Sequence, residues 1–202
     1  YFTYTYIPAP RTIFTGIQKF PPAHLATYTL DGNSRVSRYW SLPPQSSGDE
    51  LNLEGSPEQA VERALLEAVE SHMVSDVPVG AFLSGGIDSS LIVAMMSRYS
   101  SSPVQTFTVG FEDASGAFID ERVYAREMAK RYNLAHEEIV VRADAAAILP
   151  DVISAFDEPF ADDSVIPSYY VSQQTARSVK VAMTGLGGDE LFAGYKRHLG
   201  AH

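Results

Sequence analysis

Ser84-Gly85-Gly86-Ile87-Asp88-Ser89-Ser90 places two glycines, three serines and a carboxylate in seven consecutive positions. Glycines let a backbone approach an anion closely, and the free amides and dipole at a helix start attract phosphate. The serine hydroxyls can donate to phosphate oxygens. Asp88 is the odd member, because a carboxylate beside phosphate repels it unless a cation intervenes. Mg2+ is the natural choice, as a hard ion that takes carboxylate and phosphate oxygens together. A plain Gly-Ser turn capping a helix, with Asp88 serving only the dipole, would also explain the residues one by one. The apolar run before the turn and the helical pattern after it favour the anion site.

A second glycine-rich turn, Thr184 to Gly188, runs into Asp189-Glu190. Alone, that acidic pair reads as a helix start favoured by the dipole. Together with Asp88 it supplies two carboxylates, Asp88 and Asp189, that could converge on one metal. No G-x-x-x-x-G-K-[ST] string occurs, and in Gly185-Leu186-Gly187-Gly188-Asp189-Glu190 the place of the third dinucleotide-binding glycine is taken by Glu190. Both of those nucleotide readings fail. His24, His72, His136, His198 and His202 show no metal-ligand spacing, and structural roles suit them better. Trp40 is expected to pack, and Asp162-Asp163 reads either as a metal pair or as an exposed loop pair.

The elements that must position these turns alternate. Ser56-Pro57-Glu58-Gln59 has a capping residue, Pro at the first helical position and Gln at the third. Val61, Leu65, Val69 and Met73 follow as an apolar stripe. Strands are expected at 79–83, 104–109, 138–141 and 179–183. Helices are expected at 88–98, from the Asp120 cap through 133 with Tyr124, Met128 and Tyr132 on one face, at 144–156, at 167–177, and from Asp189. Such alternation implies an α/β fold, a doubly wound parallel sheet with helices on both faces, whose ligands sit at the carboxyl ends of the strands. Residues 1–55 differ: they are proline-rich and aromatic, with extended stretches at 1–7 and 26–30, loops at 31–34 and 43–55, and no helix.

Composition narrows the classes. The 202 residues carry 15 Lys+Arg against 25 Asp+Glu, a formal net charge of -10. That balance, without a basic stripe, argues against duplex nucleic-acid binding. With 45% hydrophobic residues the chain can bury a core. It has no apolar run near the ~18 residues that span a bilayer, and its first twenty residues lack a signal-peptide layout. No membrane association and a cytoplasmic location are therefore expected. Cysteine is absent, which excludes disulfides and a thiol nucleophile in this chain.

The Ser84–Ser90 string resembles the SGGxDS loop of the PP-loop ATP pyrophosphatases, and the likeness extends downstream. Thr106 to Phe111, Asp120-Glu121 with Ala125-Arg126, His136-Glu137-Glu138, Asp157 to Asp162 and Thr184 to Tyr195 fall in the order seen in asparagine synthetases. Tyr6 to Phe14 and Lys19 to His24 look like that family's link between glutaminase and synthetase domains. The resemblance implies a linker at 1–55 after an absent glutaminase domain, and the front part of a synthetase domain, incomplete at its C-terminus, at 56–202. It implies that Phe82, Ser84, Gly85, Gly86, Asp88, Ser89, Ser90, Val109, Thr184 and Gly185 meet ATP and its pyrophosphate. Asp88 and Asp189 would hold Mg2+, with Glu190 completing the catalytic carboxylates. Asp157, Glu158, Asp162 and Ser164 fall where the amino-acid substrate is expected.

The implied reaction adenylates aspartate, releases pyrophosphate, and passes glutamine-derived ammonia to the activated acyl group. The family's glutaminase uses an N-terminal cysteine, so this chain alone would not release ammonia from glutamine. A homodimer is compatible with the resemblance. One residue departs from the pattern: Leu186 stands where family members often carry a carboxylate. That leaves open a related ligase acting on another carboxylate, in lactam formation or in antibiotic or polysaccharide tailoring. A chain that binds nucleotide without turnover is the other alternative.

Overall fold

The computed structural model describes residues 1–42, 55–111, 122–142, 144–162 and 164–199. In chain order the elements are β1 (His24–Tyr28), β2 (Ser34–Arg38), α1 (Pro57–His72), β3 (Val79–Phe82), α2 (Ile87–Tyr99), β4 (Gln105–Phe111) and α3 (Arg122–Arg131). They continue with β5 (Ala135–Val141), α4 (Ala145–Phe156), α5 (Val165–Thr175), β6 (Val181–Met183), α6 (Gly188–Phe192) and α7 (Lys196–Leu199). The chain divides into two compact units: Tyr1–Asn52 with Ala146–Val165, and Leu53–Ala145 with Ile166–His202.

In the first unit, β1 and β2 form an antiparallel hairpin in register from His24↔Arg38 to Tyr28↔Ser34. The turn is closed by Asp31, whose carboxylate accepts from the Asn33 side chain at 2.7 Å. These hydrogen bonds, the Thr29 hydroxyl first among them, hold the Asp31 carboxyl below the usual aspartate range. The extended stretch expected at 1–7 is instead a run of turns, with the Tyr4 and Thr5 amides both bonded to the Tyr1 carbonyl. Among the described residues, no strand pairs with it to satisfy the strand propensity of its tyrosines. Most of the loop expected at 43–55 lies outside the described residues.

The second unit is built on four parallel strands in the order β5-β4-β3-β6. The chain steps outward from β3 to β4 to β5 and returns to the far side of β3 as β6. The strand order therefore switches between β3 and β6, the position where open α/β sheets hold ligands. Side-chain alternation divides two cores between the faces. Ala81 and Leu83 pack with Val69 of α1, Val93 and Met96 of α2 and Ala125 of α3. Phe107, Ile139 and Val179, joined by Phe82, Val109 and Val141, fill the opposite face. A sheet apolar on both faces is what a doubly wound arrangement requires.

Local chemistry explains the element ends. At α1 the Gln59 amide donates to the Ser56 hydroxyl at 3.4 Å and the Ser56 amide donates to the Gln59 side chain at 3.0 Å, the reciprocal cap its sequence specifies. On α3, Tyr124 is exposed at its ring, while Ala125 is buried and Met128 packs against the core. The first glycine-rich turn lies against the Tyr124–Ala125 backbone, which leaves no room for a side chain at Gly85. The expected Asp120 cap lies outside the described residues. β5 begins three residues earlier than its apolar run suggests, because His136 and Glu138 sit on an edge strand where polar side chains are tolerated.

Candidate active site

The first turn is held by its own hydroxyls. Ser84 and Ser89 Oγ lie 3.0 Å apart, the Ser84 amide donates to Ser89 Oγ at 3.3 Å, and the Gly86 amide donates to Ser84 Oγ at 3.2 Å. Gly86 is the residue before α2, in extended conformation and without a side chain to cap it, so the helix start is left open to an external acceptor. Ser89 is buried, and the Ser90 hydroxyl is buried without a hydrogen-bond partner. A desolvated donor of that kind costs free energy unless something accepts from it.

One residue that sequence reasoning did not single out as part of the site helps to fix this turn, beside a glycine that it did. Thr108 on β4 donates its hydroxyl to the Leu83 carbonyl, at the point where β3 gives way to the turn. Gly85 has φ +85°, a conformation side chains rarely adopt, and a Cβ there would stand 2.8 Å from the Ala125 amide nitrogen. The alternation of Thr106 and Thr108 with Phe107 and Val109 along β4 is the signal that could have found Thr108.

The second turn packs onto the first. A Cβ on Gly185 would meet the Ser89 nitrogen at 2.8 Å and the Asp88 Cβ at 2.9 Å. A Cβ on Gly188 would run into the Asp88 carboxylate. Within the second turn the Leu186 amide donates to the Thr184 hydroxyl at 3.3 Å, and the Gly188 amide to the Gly185 carbonyl at 3.2 Å. Gly187, at φ +100°, precedes α6, which is only five residues long. The structure thus brings Ser84–Ser90, Thr184 and Gly185 to one end of β3 and β6. Asp88 lies against the residue before Asp189. Glu190 is exposed and accepts from the Tyr195 hydroxyl at 2.5 Å.

β3 ends at Phe82, one residue short of the expected 83, and β4 continues beyond Val109 to Phe111, since β4 and β5 stay paired through Phe111↔Val141. The side chains of Phe82 and Val109 pack in the core of the second face, leaving main chain as their contribution at this sheet end. Asp157, Glu158, Asp162 and Ser164 belong to the other compact unit. There Asp157 has φ +57°, Glu158 pairs with Lys19, and the Asp162 carboxylate accepts from the Ser164 amide at 2.9 Å. Hydrogen bonds from Ser164, side chain then backbone, hold the Asp162 carboxyl below its usual range. Asp163 lies outside the described residues.

Among the described residues, no group of three or more His, Asp or Glu converges as a metal cage. Mg2+ is commonly held by one or two carboxylates plus substrate phosphates and water. Asp88, set against Gly188 and next in space to the start of Asp189, fits that mode. A separate cleft of about 620 Å3 lies between α1 and α2, lined by Val61, Leu65, Leu91, Met95 and Phe192 among others. It contains no residue of either turn.

At the edge of the same sheet, the Thr106 hydroxyl meets His136 Nδ1 at 3.0 Å while His136 Nε2 is buried without a partner. Burial holds this imidazole below the usual histidine pKa, with Glu138 acting in the raising direction and Arg126 in the lowering one. Arg126 forks onto Glu138, with the second bond at 2.6 Å, and depresses that carboxyl in turn.

This is an open parallel α/β protein whose two interlocked glycine-rich turns stand at the strand-order switch, where such sheets hold ligands. Residues 60–202 match the family model described as Asparagine synthase, and the chain belongs to that family. It is 35% identical over 199 residues, 96% of its length, to asparagine synthetase [glutamine-hydrolyzing] 1 of Bacillus subtilis (strain 168), of which it covers 30%. It is 31% identical over 201 residues to the protein named Amidase chyE of Penicillium rubens, covering 92% of this chain and 30% of the relative. The chain thus spans about a third of the length of these curated relatives. Among solved structures, the NH3-dependent NAD synthetase of Campylobacter jejuni superposes with a TM-score of 0.45 at 18% identity, covering 68% of this chain and 60% of that one.

Proposed function

We propose that this chain is part of an ATP-dependent amide-forming ligase of the cytoplasm that adenylates aspartate and transfers ammonia to it. The observation that carries the reading is the contact of the two turns, Gly185 and Gly188 against Asp88 and Ser89. It gathers open helix amides, serine hydroxyls and a carboxylate into one place, as a triphosphate with a bound cation requires.

In this reading the substrate carboxylate oxygen attacks the α-phosphorus of ATP as the bond to the β-phosphoryl oxygen breaks. Pyrophosphate leaves into the Ser84–Ser90 turn, where the Gly85 and Gly86 backbone and the Ser84, Ser89 and Ser90 hydroxyls neutralise it. Thr184 and Gly185 line the nucleotide, with the main chain of Phe82 and Val109 toward the adenine. Asp88 and Asp189 would hold Mg2+, which supplies charge neutralisation of the phosphoryl oxygens when bound. Glu190 would complete the catalytic carboxylates, and Asp157, Glu158, Asp162 and Ser164 would bind the amino acid. Ammonia then attacks the acyl carbon, AMP leaves, and a proton is lost to give the amide. The nitrogen comes from glutamine through a glutaminase domain, in keeping with relatives named as glutamine-hydrolyzing. The assay is product identity: AMP and pyrophosphate formed together support the reading.

One observation favours a second reading within the same chemistry. Leu186, 87% exposed in the second turn, can neither take a proton nor bind ammonium. A ligase acting on a different carboxylate would tolerate it there, and a relative named as an amidase is in keeping with that. A screen of carboxylates with ammonia, read as AMP release, separates the two.

A further inference from the structure

We propose that Lys19 is a positioning residue that locks the 156–162 segment, so that the N-terminal stretch is a working part of the acid-binding loop. This rests on the reading above that Asp157, Glu158 and Asp162 meet the carboxylic acid. All contacts involved lie within one compact unit.

The base of Lys19 is rigid. An antiparallel bridge joins Arg11 to Gln18, and the Thr12 hydroxyl donates to the Ile17 carbonyl at 2.9 Å. The Lys19 amide donates to the Pro10 carbonyl at 2.9 Å. From this closed loop the ammonium reaches two acceptors at once: the Ile7 carbonyl at 2.7 Å and the Glu158 carboxylate. The ion pair is not a surface one, since the two side chains are only 31% and 25% exposed. A second tie runs beside it, from the Ala161 amide to the Thr5 carbonyl at 2.9 Å.

The segment being held is itself compact. Phe156 and Phe160 stack with centroids 4.9 Å apart and planes 10° from parallel. Asp157 turns the chain through the left-handed region between them, and the Glu158 amide closes on the Phe156 carbonyl at 2.7 Å. A stacked five-residue turn of this kind moves as a body, so its placement is set by its anchors. Removing the Lys19 ammonium leaves a half-buried carboxylate and a main-chain carbonyl without their donor, which the segment can relieve only by moving toward water.

The test compares Lys19→Met and Lys19→Arg in the full chain, with ATP, aspartate and ammonia as probes. Lys19→Met is expected to raise KM for aspartate about tenfold, the size of one charge-assisted hydrogen bond, while KM for ATP stays within about twofold. Lys19→Arg restores most of the loss. In a Glu158→Gln background the Met change adds less than about twofold, because its partner is already gone. An unchanged KM for aspartate, or an effect fully additive with Glu158→Gln, overturns the proposal. Hydrogen exchange at 156–162 decides the same question without turnover: about tenfold faster exchange in Lys19→Met, with 84–90 unaffected, supports the lock, and unchanged exchange refutes it. If the wild type releases no AMP with aspartate, the substrate reading fails while the exchange measurement still judges Lys19.

Discussion

The two glycine-rich turns end neighbouring parallel strands, yet they are made differently. Ser84–Ser90 rests on a buried floor: Leu83 is 1% exposed, Thr108 bonds its carbonyl, Ala125 closes beneath Gly85, and a thirteen-residue helix follows. Thr184–Gly188 follows a three-residue strand, leads into a five-residue helix without buried residues, and presents Leu186 to solvent. What gives the second turn its place is the first, through Gly185 and Gly188 against Asp88 and Ser89. The first turn is thus a scaffold for the second, and in the proposed function the exposed second turn is where substrate specificity would vary.

This contrast can be broken from the scaffold side. Leu83→Ala is expected to cost about 3–5 kcal/mol, whereas Met183→Ala, at the matching end of β6 and only half-buried, costs about half that. Urea unfolding of both variants measures the difference, and equal losses would remove the asymmetry. Gly85→Ala is expected to cost about 2–4 kcal/mol, combining left-handed strain with a collision on the α3 backbone. Gly187→Ala, equally left-handed but with open space around it, should cost about 1 kcal/mol.

Gly185→Ala tests the interlock itself. The methyl group pushes the turns apart by a fraction of an ångström to an ångström, a displacement that can weaken ligand placement about a hundredfold. Titration calorimetry with ATP and Mg2+ reads it, and an unchanged affinity would detach the second turn from the nucleotide. The smallest effect expected is at the sheet edge. His136 has its folded pKa below the unfolded value, so its contribution to stability is complete above about pH 6.5. It declines as pH falls from there toward the folded pKa, because the unfolded chain takes up the proton first. Urea midpoints from pH 8 to 5 should fall less steeply in His136→Gln.

Much of this site is written in short-range chemistry. The Ser56 cap, the β3–turn–α2 unit and the second turn are all local patterns, and they appear where the spacing puts them. The departures share one cause, which is that a distant partner decides. Tyr124 follows the helical period yet stays largely exposed, and what lies against its Cβ is the Gly85 backbone from a turn some forty residues earlier. Tyr1 to Ile7 has strand-forming residues, but among the described residues no strand pairs with it. The binding of Lys19 to Glu158 joins positions with no periodic relation in the chain, so no spacing could announce it. For the same reason, the grouping of 146–165 with the N-terminal stretch became visible only in three dimensions.

In the proposed function these turns receive the pyrophosphate of ATP while a carboxylate is adenylated. Incubation of the full chain with ATP, Mg2+, aspartate and ammonia, followed by separation of the nucleotides, tests it most directly. AMP and pyrophosphate in equal amounts, lost in Asp88→Asn, is the predicted result. ADP and inorganic phosphate as the products would contradict it.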